Sequence, residues 1–219
     1  MVNIMSGKII PNARPIKKCD YQLAIQQLKT ILPHELSIFP FGSAGKKEIS
    51  MDIDILIDTT ELLAIFPSYP PDIRVSRQLL SDYLTANGLI SRRSGVSVHV
   101  GLSLNGEFIQ VDLMTVEYPL DIQLLHDHEY DTPDITGKLI VSIWADLAKL
   151  TSPDLIISPY RGLMNRITKE LITRNKDHIA KVIIDAAAVA DDLRSPAKML
   201  LALINQPFKL QSIKHTYNI

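Results

Sequence analysis

Along residues 52–58, Asp-Ile-Asp-Ile-Leu-Ile-Asp, acids alternate with isoleucines for most of the run, the period of two that marks a strand. Residues 20–32 keep a different rhythm. Asp20 is a capping-type residue, and Tyr21, Ala24, Ile25, Leu28, Ile31 and Leu32 fall on one helical stripe that Pro33 ends. Residues 36–41 predict a short strand, with Pro40 tolerable only near its end or on an edge, and this strand leads into Gly42-Ser43. Residues 72–87 predict a second amphipathic helix with Gly88 as its C-terminal cap. Two β-rich runs, 96–104 and 107–116, then flank Asn105-Gly106, the strongest signal for a two-residue type I′ hairpin.

Past residue 120 the pattern changes. A polar loop over 125–134 is followed by segments 137–150, 160–175 and 177–204 that read as helical, punctuated by Pro153, Pro159 and Pro196. The expected fold class is α+β: a mixed sheet with flanking helices over residues 1–125, followed by a helical domain over 126–219. Residues 1–19 are expected as an N-terminal arm that simply leads into the first helix.

Composition narrows the field. Of 219 residues, 46% are apolar and 21% charged, a globular balance that excludes disorder of the whole chain. The formal net charge of -1 provides no global basic field, which argues against a processive, template-reading enzyme with a long basic channel. The single cysteine, Cys19, has no partner for a disulfide or a cysteine zinc site, and no run of about 18 apolar residues is present. A cytoplasmic protein with no membrane partner is expected.

Chemistry gathers on the alternating strand. Asp52 and Asp54 must project from one face, and Ile53, Ile55 and Ile57 from the other. Two carboxylates held together repel unless a cation lies between them. Mg²⁺ (or Mn²⁺) suits such a site, because it takes oxygen ligands, one or two of them protein carboxylates, and completes its shell with water and substrate phosphate. A third acid comes from the hairpin: a two-residue turn pairs Leu104 with Glu107 and sets Asp112 opposite His99. If the hairpin lies beside the Asp52–Asp54 strand, three carboxylates can hold two metal ions. Gly42 allows close backbone approach to a ligand, Ser43 adds a hydroxyl donor, and Lys46 and Lys47 could offer charge to a triphosphate.

The stretch Phe-Gly-Ser-Ala-Gly-Lys-Lys-Glu-Ile-Ser-Met-Asp-Ile-Asp-Ile-Leu-Ile, residues 41–57, resembles the signature of the nucleotidyltransferase superfamily typified by DNA polymerase beta. Gly-Ser follows an apolar lead, Asp-x-Asp lies on a strand, and a third acid follows 58 residues beyond Asp54. In one respect it departs from the pattern: Met51 separates Ser50 from Asp52, where members commonly have Ser directly before the first aspartate. The resemblance implies a palm domain, and a helical domain closing one side of a cleft. It also implies Gly42 and Ser43 opening a helix that holds a triphosphate, Asp52 and Asp54 binding metals, and Asp112 touching one metal while serving as base. The implied reaction transfers a nucleoside monophosphate from a nucleoside triphosphate to an acceptor hydroxyl on RNA, protein or a small molecule, with release of pyrophosphate. The alternative is a catalytically silent nucleotide-binding regulatory or interaction module of the same fold.

Other groups carry weaker readings. His99 is expected as a half-exposed strand histidine able to tune Asp112 or touch substrate, and Arg92, Arg93 and Ser94 as a solvated loop able to grip phosphate. His126, Asp127, His128 and Asp131 lie close in sequence, but no regular element fixes them as metal ligands. Tyr160, Arg161, Arg166, Lys169 and Arg174 are expected on one helix with a basic side, a candidate contact for a nucleobase or acceptor. The alanine-rich run at 183–193 reads as tight helix packing.

Overall fold

The computed structural model describes residues 9–130 and 132–219. The chain forms two compact units, Met1–Pro119 and Leu120–Ile219.

The first unit runs β1 (Ile16–Lys17), α1 (Tyr21–Ile31), β2 (Ile38–Phe41), β3 (Ile49–Ser50), β4 (Ile53–Asp58), α2 (Thr59–Ile65), α3 (Ile73–Ala86), β5 (Ile90–Ser94), β6 (Ser97–Leu104) and β7 (Glu107–Val116). Five strands make a mixed sheet in the order β2-β4-β7-β6-β5, in which β4 and β7 are parallel and the other neighbours antiparallel. Pro40 is accommodated because β2 is an edge strand. Asn105 and Gly106 both take positive φ, 53° and 82°, as a type I′ turn requires. That turn fixes the hairpin register Leu104↔Glu107 and His99↔Asp112.

One face of the sheet is the core. Ile53, Ile55, Ile57, Val98, Val100, Val111 and Leu113 are all fully buried there, beneath Ala24, Ile25 and Leu28 of α1 and Leu80 and Leu84 of α3. Each such side chain contributes roughly 1.5–3 kcal/mol by leaving water. α3 begins at Asp72, whose side chain accepts from the Arg74 amide, and Gly88 follows its end with φ 83°. Both boundaries agree with the sequence reading.

Two local expectations fail. Residues 9–17 do not simply lead into α1: Ile10, Ala13 and Ile16 are buried, the Arg14 amide donates to Phe108 O at 2.7 Å, and β1 pairs with β3. Their apolar positions are too few and too unevenly spaced to register as an element. Gly42-Ser43 opens a single turn, not a helix. Ser43 O accepts from the amides of Lys46 (3.1 Å) and Lys47 (3.0 Å), and Gly45 at φ 77° follows before the chain enters β3.

The second unit contains α4 (Pro119–Leu125), α5 (Gly137–Thr151), β8 (Leu155–Ser158), β9 (Gly162–Asn165), β10 (Leu171–Thr173), α6 (Lys176–Ile183), α7 (Pro196–Ala202) and α8 (Pro207–Tyr217). Along α5, Ile140, Ile143, Trp144 and Leu147 are buried, and the Trp144 indole donates to Leu193 O at 3.1 Å. The all-helical expectation is corrected here, since residues 155–173 form a three-stranded antiparallel sheet, β10-β9-β8. Leu163, Ile167 and Leu171 imitate a helical stripe, yet Ile167 is 72% exposed and lies on the connection between two strands. Gly162, at φ 96°, would bring a Cβ to 2.4 Å from Thr173 O, so this sheet needs glycine at that point. The helix expected over 177–204 is likewise broken. The Asp185 side chain accepts from the amides of Ala187 and Ala188, a local turn that stops α6 before the alanines can extend it. Among the described residues, no helix is long and apolar enough to cross a membrane.

Candidate active site

The second face of the five-stranded sheet carries a row that is polar on four of its strands, β4, β7, β6 and β5. Register places Phe41 of β2 beside Asp54 of β4, Asp54 beside Asp112 of β7, Asp112 beside His99 of β6, and His99 beside Arg92 of β5. Residues paired across a sheet share a face, so the row follows from register alone. Asp52 lies just before the first residue of β4, close enough to the row that its charge acts on Asp54. The β4–β7 parallel pairing is the long-range contact that joins the two halves of the acid set, Asp52 and Asp54 from one and Asp112 from the other.

Gly42 has a reason beyond any ligand. Its φ is 80°, and a Cβ built on it would lie 2.6 Å from Oδ2 of Asp54. The turn after β2 thus folds directly over the Asp54 carboxylate, and only a residue without a side chain leaves room. Ser43, next in the chain, donates from Oγ to Ser50 Oγ at 3.0 Å. Ser50 is buried, and this bond ties the Gly42 turn to β3. Lys46 lies exposed on the same turn.

Asp112 is held from two sides. His99 Nδ1 lies 2.7 Å from its Oδ1, and Gln110 Nε2 donates to the same oxygen at 3.0 Å. An ionised carboxylate can only accept, so His99 donates from Nδ1. His99 is buried, where the sequence led us to expect half exposure. Gln110 was missed altogether. A polar residue two positions before Asp112 on the same strand face is the signal that would have pointed to it.

Crowding sets the electrostatics. Burial pushes Asp54 up to about 8, with the charges of Asp52 and Asp112 adding to the rise. Asp52 rises to about 6, first through burial and then through Asp112, while His99 and its own backbone pull the other way. Both acids thus resist ionisation unless positive charge arrives. The donor set, three carboxylates and no sulfur, suits a hard divalent cation. Among the described residues, no group of three or more His, Cys, Asp or Glu side chains could by itself hold a metal ion. The three-carboxylate site for two metal ions expected from sequence is therefore not assembled as a metal-holding group among the described residues. What is present is a set of crowded acids whose charge a cation completed by water and phosphate would neutralise.

The other candidates lie at the end of this row or away from it. Arg92 ends the row on an exposed strand, and the Arg93 side chain donates to Arg74 O at 2.9 Å, so these residues are not a solvated loop. His126 Nε2 lies 2.6 Å from Pro159 O, His128 packs edge-on against Trp144, and Asp127 pairs with Arg194. Asp131 lies outside the described residues. Tyr160 and Arg161 occupy the β8–β9 turn, Arg166 and Lys169 lie on the β9–β10 connection, and Arg174 follows β10. These five residues therefore share no helix.

No protein-family model matches the chain. No curated protein matches it. Among solved structures, the chain is similar to one from the E. coli MS115-1 CdnC:HORMA-deltaN complex, at 20% identity and TM-score 0.37, covering 68% of this chain and 57% of that one. It is similar to the Cid1 poly(U) polymerase at 16% identity and TM-score 0.33, covering 65% of this chain and 45% of that one. A third is the Elizabethkingia meningoseptica CdnE cyclic dinucleotide synthase with GTP and Apcpp, at 16% identity and TM-score 0.33, covering 91% of this chain and 76% of that one. The chain thus spans about half the length of the first two of these proteins.

Proposed function

We propose that this protein is a nucleotidyltransferase that uses Mg²⁺ or Mn²⁺, moving a nucleoside monophosphate from a nucleoside triphosphate to an acceptor hydroxyl. The observation that carries this reading is the register of Asp54 against Asp112 on parallel strands, beneath a glycine turn that has no room for a side chain. Asp52, Asp54 and Asp112 would hold two ions only together with water and the phosphates of the substrate. Bound there, the ions would supply positive charge to the reacting phosphate and lower the pKa of the attacking hydroxyl.

The chain's own part is positioning. Gly42 lets the backbone come close to the phosphates, Ser43 lines the turn beside them, and Lys46 offers a cation at its rim. Asp112 presents the carboxylate that receives the proton of the acceptor hydroxyl, with Oδ1 already occupied by His99 and Gln110. The hydroxyl oxygen attacks the α-phosphorus, the bond to the bridging oxygen breaks, and pyrophosphate departs. Rate enhancement comes from orientation and charge complementarity rather than from a covalent intermediate.

Incubation with each α-labelled nucleoside triphosphate and Mg²⁺ or Mn²⁺ tests the reading, with RNA, the protein itself and small alcohols as separate acceptors. Label transfer with pyrophosphate release is expected in one acceptor class. Nucleotide binding without turnover under any of these conditions would instead identify a silent binding module.

A further inference from the structure

Gln110, two residues before Asp112 on the site face of β7, has no direct part in the proposed chemistry and is almost completely buried. Its amide oxygen accepts from two backbone amides, Ile9 at 2.8 Å and Ile10 at 3.1 Å. Those two N–H groups can tolerate only oxygen, so they fix which way the amide is turned. Its NH₂ is thereby aimed at Asp112 Oδ1, 3.0 Å away. A reversed amide would set NH₂ against two N–H donors and oxygen against a carboxylate.

The two amides are themselves held in place. Ile10 is fully buried, and its Cγ2 lies where a side chain on Gly101 would stand, 2.9 Å from a Cβ built there. Gly101 pairs with Gln110 across β6 and β7, so the notch that receives Ile10 is adjacent to the side chain that Ile10 orients. Further along, the Arg14 amide donates to Phe108 O and the Arg14 guanidinium pairs with Asp20 at 3.0 Å, which anchors the segment at its other end.

We infer that residues 9–10 form a strap that positions Asp112 through Gln110. The strap seats Ile10 over Gly101, its amides set the Gln110 amide, and Gln110 with His99 claims one oxygen of Asp112, leaving the other for the site. Gln110 is a positioning residue. The role assigned to Asp112 rests on the function proposed above, but the orientation of its carboxylate does not.

Three full-length variants test this: Gln110→Ala, Gly101→Ala and the double variant, with Ile10→Ala in reserve should Gly101→Ala not fold. Mn²⁺ affinity, read from the free-ion paramagnetic resonance signal without nucleotide, should fall about 10- to 100-fold in each single variant. Because Gly101→Ala acts through Gln110, it should add nothing once Gln110 is alanine. Unchanged Mn²⁺ affinity in Gln110→Ala, or a Gly101→Ala loss that persists in full in the double variant, overturns the strap. If the wild-type chain binds no Mn²⁺, the metal-dependent reading fails, and the strap is judged on the side-chain amide resonances of Gln110. Those should move in Asp112→Asn and again in Gly101→Ala; resonances that stay put in both refute the contact.

Discussion

The two faces of the five-stranded sheet share every strand and differ in what their side chains face. On one, Ile53, Ile55, Val111 and Leu113 are sealed beneath α1 and α3. On the other, one residue out of step along the same strands, Asp54 and Asp112 stand side by side, with Asp52 raising the charge further. The apolar face gains free energy from every residue it buries, whereas the acid face raises its own cost with each carboxylate added. Strand alternation lets one stretch of chain do both, and the helices held against the apolar face make the crowding of acids tolerable.

Substitutions on opposite faces of the five-stranded sheet should therefore fail in opposite ways, and these are the largest effects expected. Asp54→Asn and Asp112→Asn should each lower label transfer roughly a hundredfold or more while the chain stays folded. Ile55→Ala should cost about 2–5 kcal/mol in denaturant unfolding, and in the fraction that remains folded transfer should persist. Loss of folding in Asp54→Asn, or full stability in Ile55→Ala, would break the contrast between faces.

Proton linkage sharpens it next. With Asp54 raised to about 8 and Asp52 to about 6, the folded chain keeps protons that the unfolded chain, with ordinary carboxyls near pH 4, has already released. Stability from these groups is complete below that unfolded value and is lost as pH rises through about 6 and then about 8, with a slope of up to roughly 1.4 kcal/mol per pH unit for each group. In chelator, the wild-type melting temperature should thus fall relative to Asp54→Asn between pH 5 and 8.5. Adding Mn²⁺ at the upper end should restore it. A wild-type curve that stays parallel to that of the variant would show that these acids are not crowded in solution.

The acid face was legible in the sequence to the extent that local rules govern it. Asn105-Gly106 fixes its own turn, the turn fixes the register, and register alone sets His99 opposite Asp112. The parallel union of β4 and β7 could only be inferred from what the acids needed, because nothing local encodes which strands become neighbours. Gln110 stayed hidden for a related reason: its partners, the amides of Ile9 and Ile10, are a hundred residues away in the chain. In the second unit the error had another source. Leu163, Ile167 and Leu171 repeat at helical spacing, and strong helix formers surround them, yet a glycine that must approach Thr173 O and a break at 166–170 outweigh that periodicity.

A smaller effect tests how closely the Gly42 turn belongs to the acid face. Gly42→Ala must hold φ near 80° and bring a methyl group to 2.6 Å from Asp54 Oδ2. About 1–2 kcal/mol of stability should be lost, together with about tenfold in transfer, as the turn and the carboxylate move apart. Gly88→Ala also sits at positive φ but meets nothing within 4 Å, so it should show only the backbone cost. Equal transfer in the two variants would detach the turn from the site.

The smallest effect separates acids that share a face from acids that share a site. Asp58 lies on β4 four residues beyond Asp54, so alternation turns it to the same side. Its side chain accepts from the amides of Thr60 at 2.6 Å and Glu61 at 3.2 Å, which makes it the N-cap of α2. A carboxylate spent on two helix amides is not offered to a cation. Asp58→Ala should accordingly cost about 1 kcal/mol by leaving those amides uncapped, and Asp58→Asn, still a good cap, should cost less. Neither change should alter label transfer or Mn²⁺ affinity by more than about twofold, because the charge and the oxygens facing Asp112 stay in place. If Asp58→Asn lowers Mn²⁺ affinity as far as Asp54→Asn does, the site extends along the whole face of β4, and face rather than register defines it.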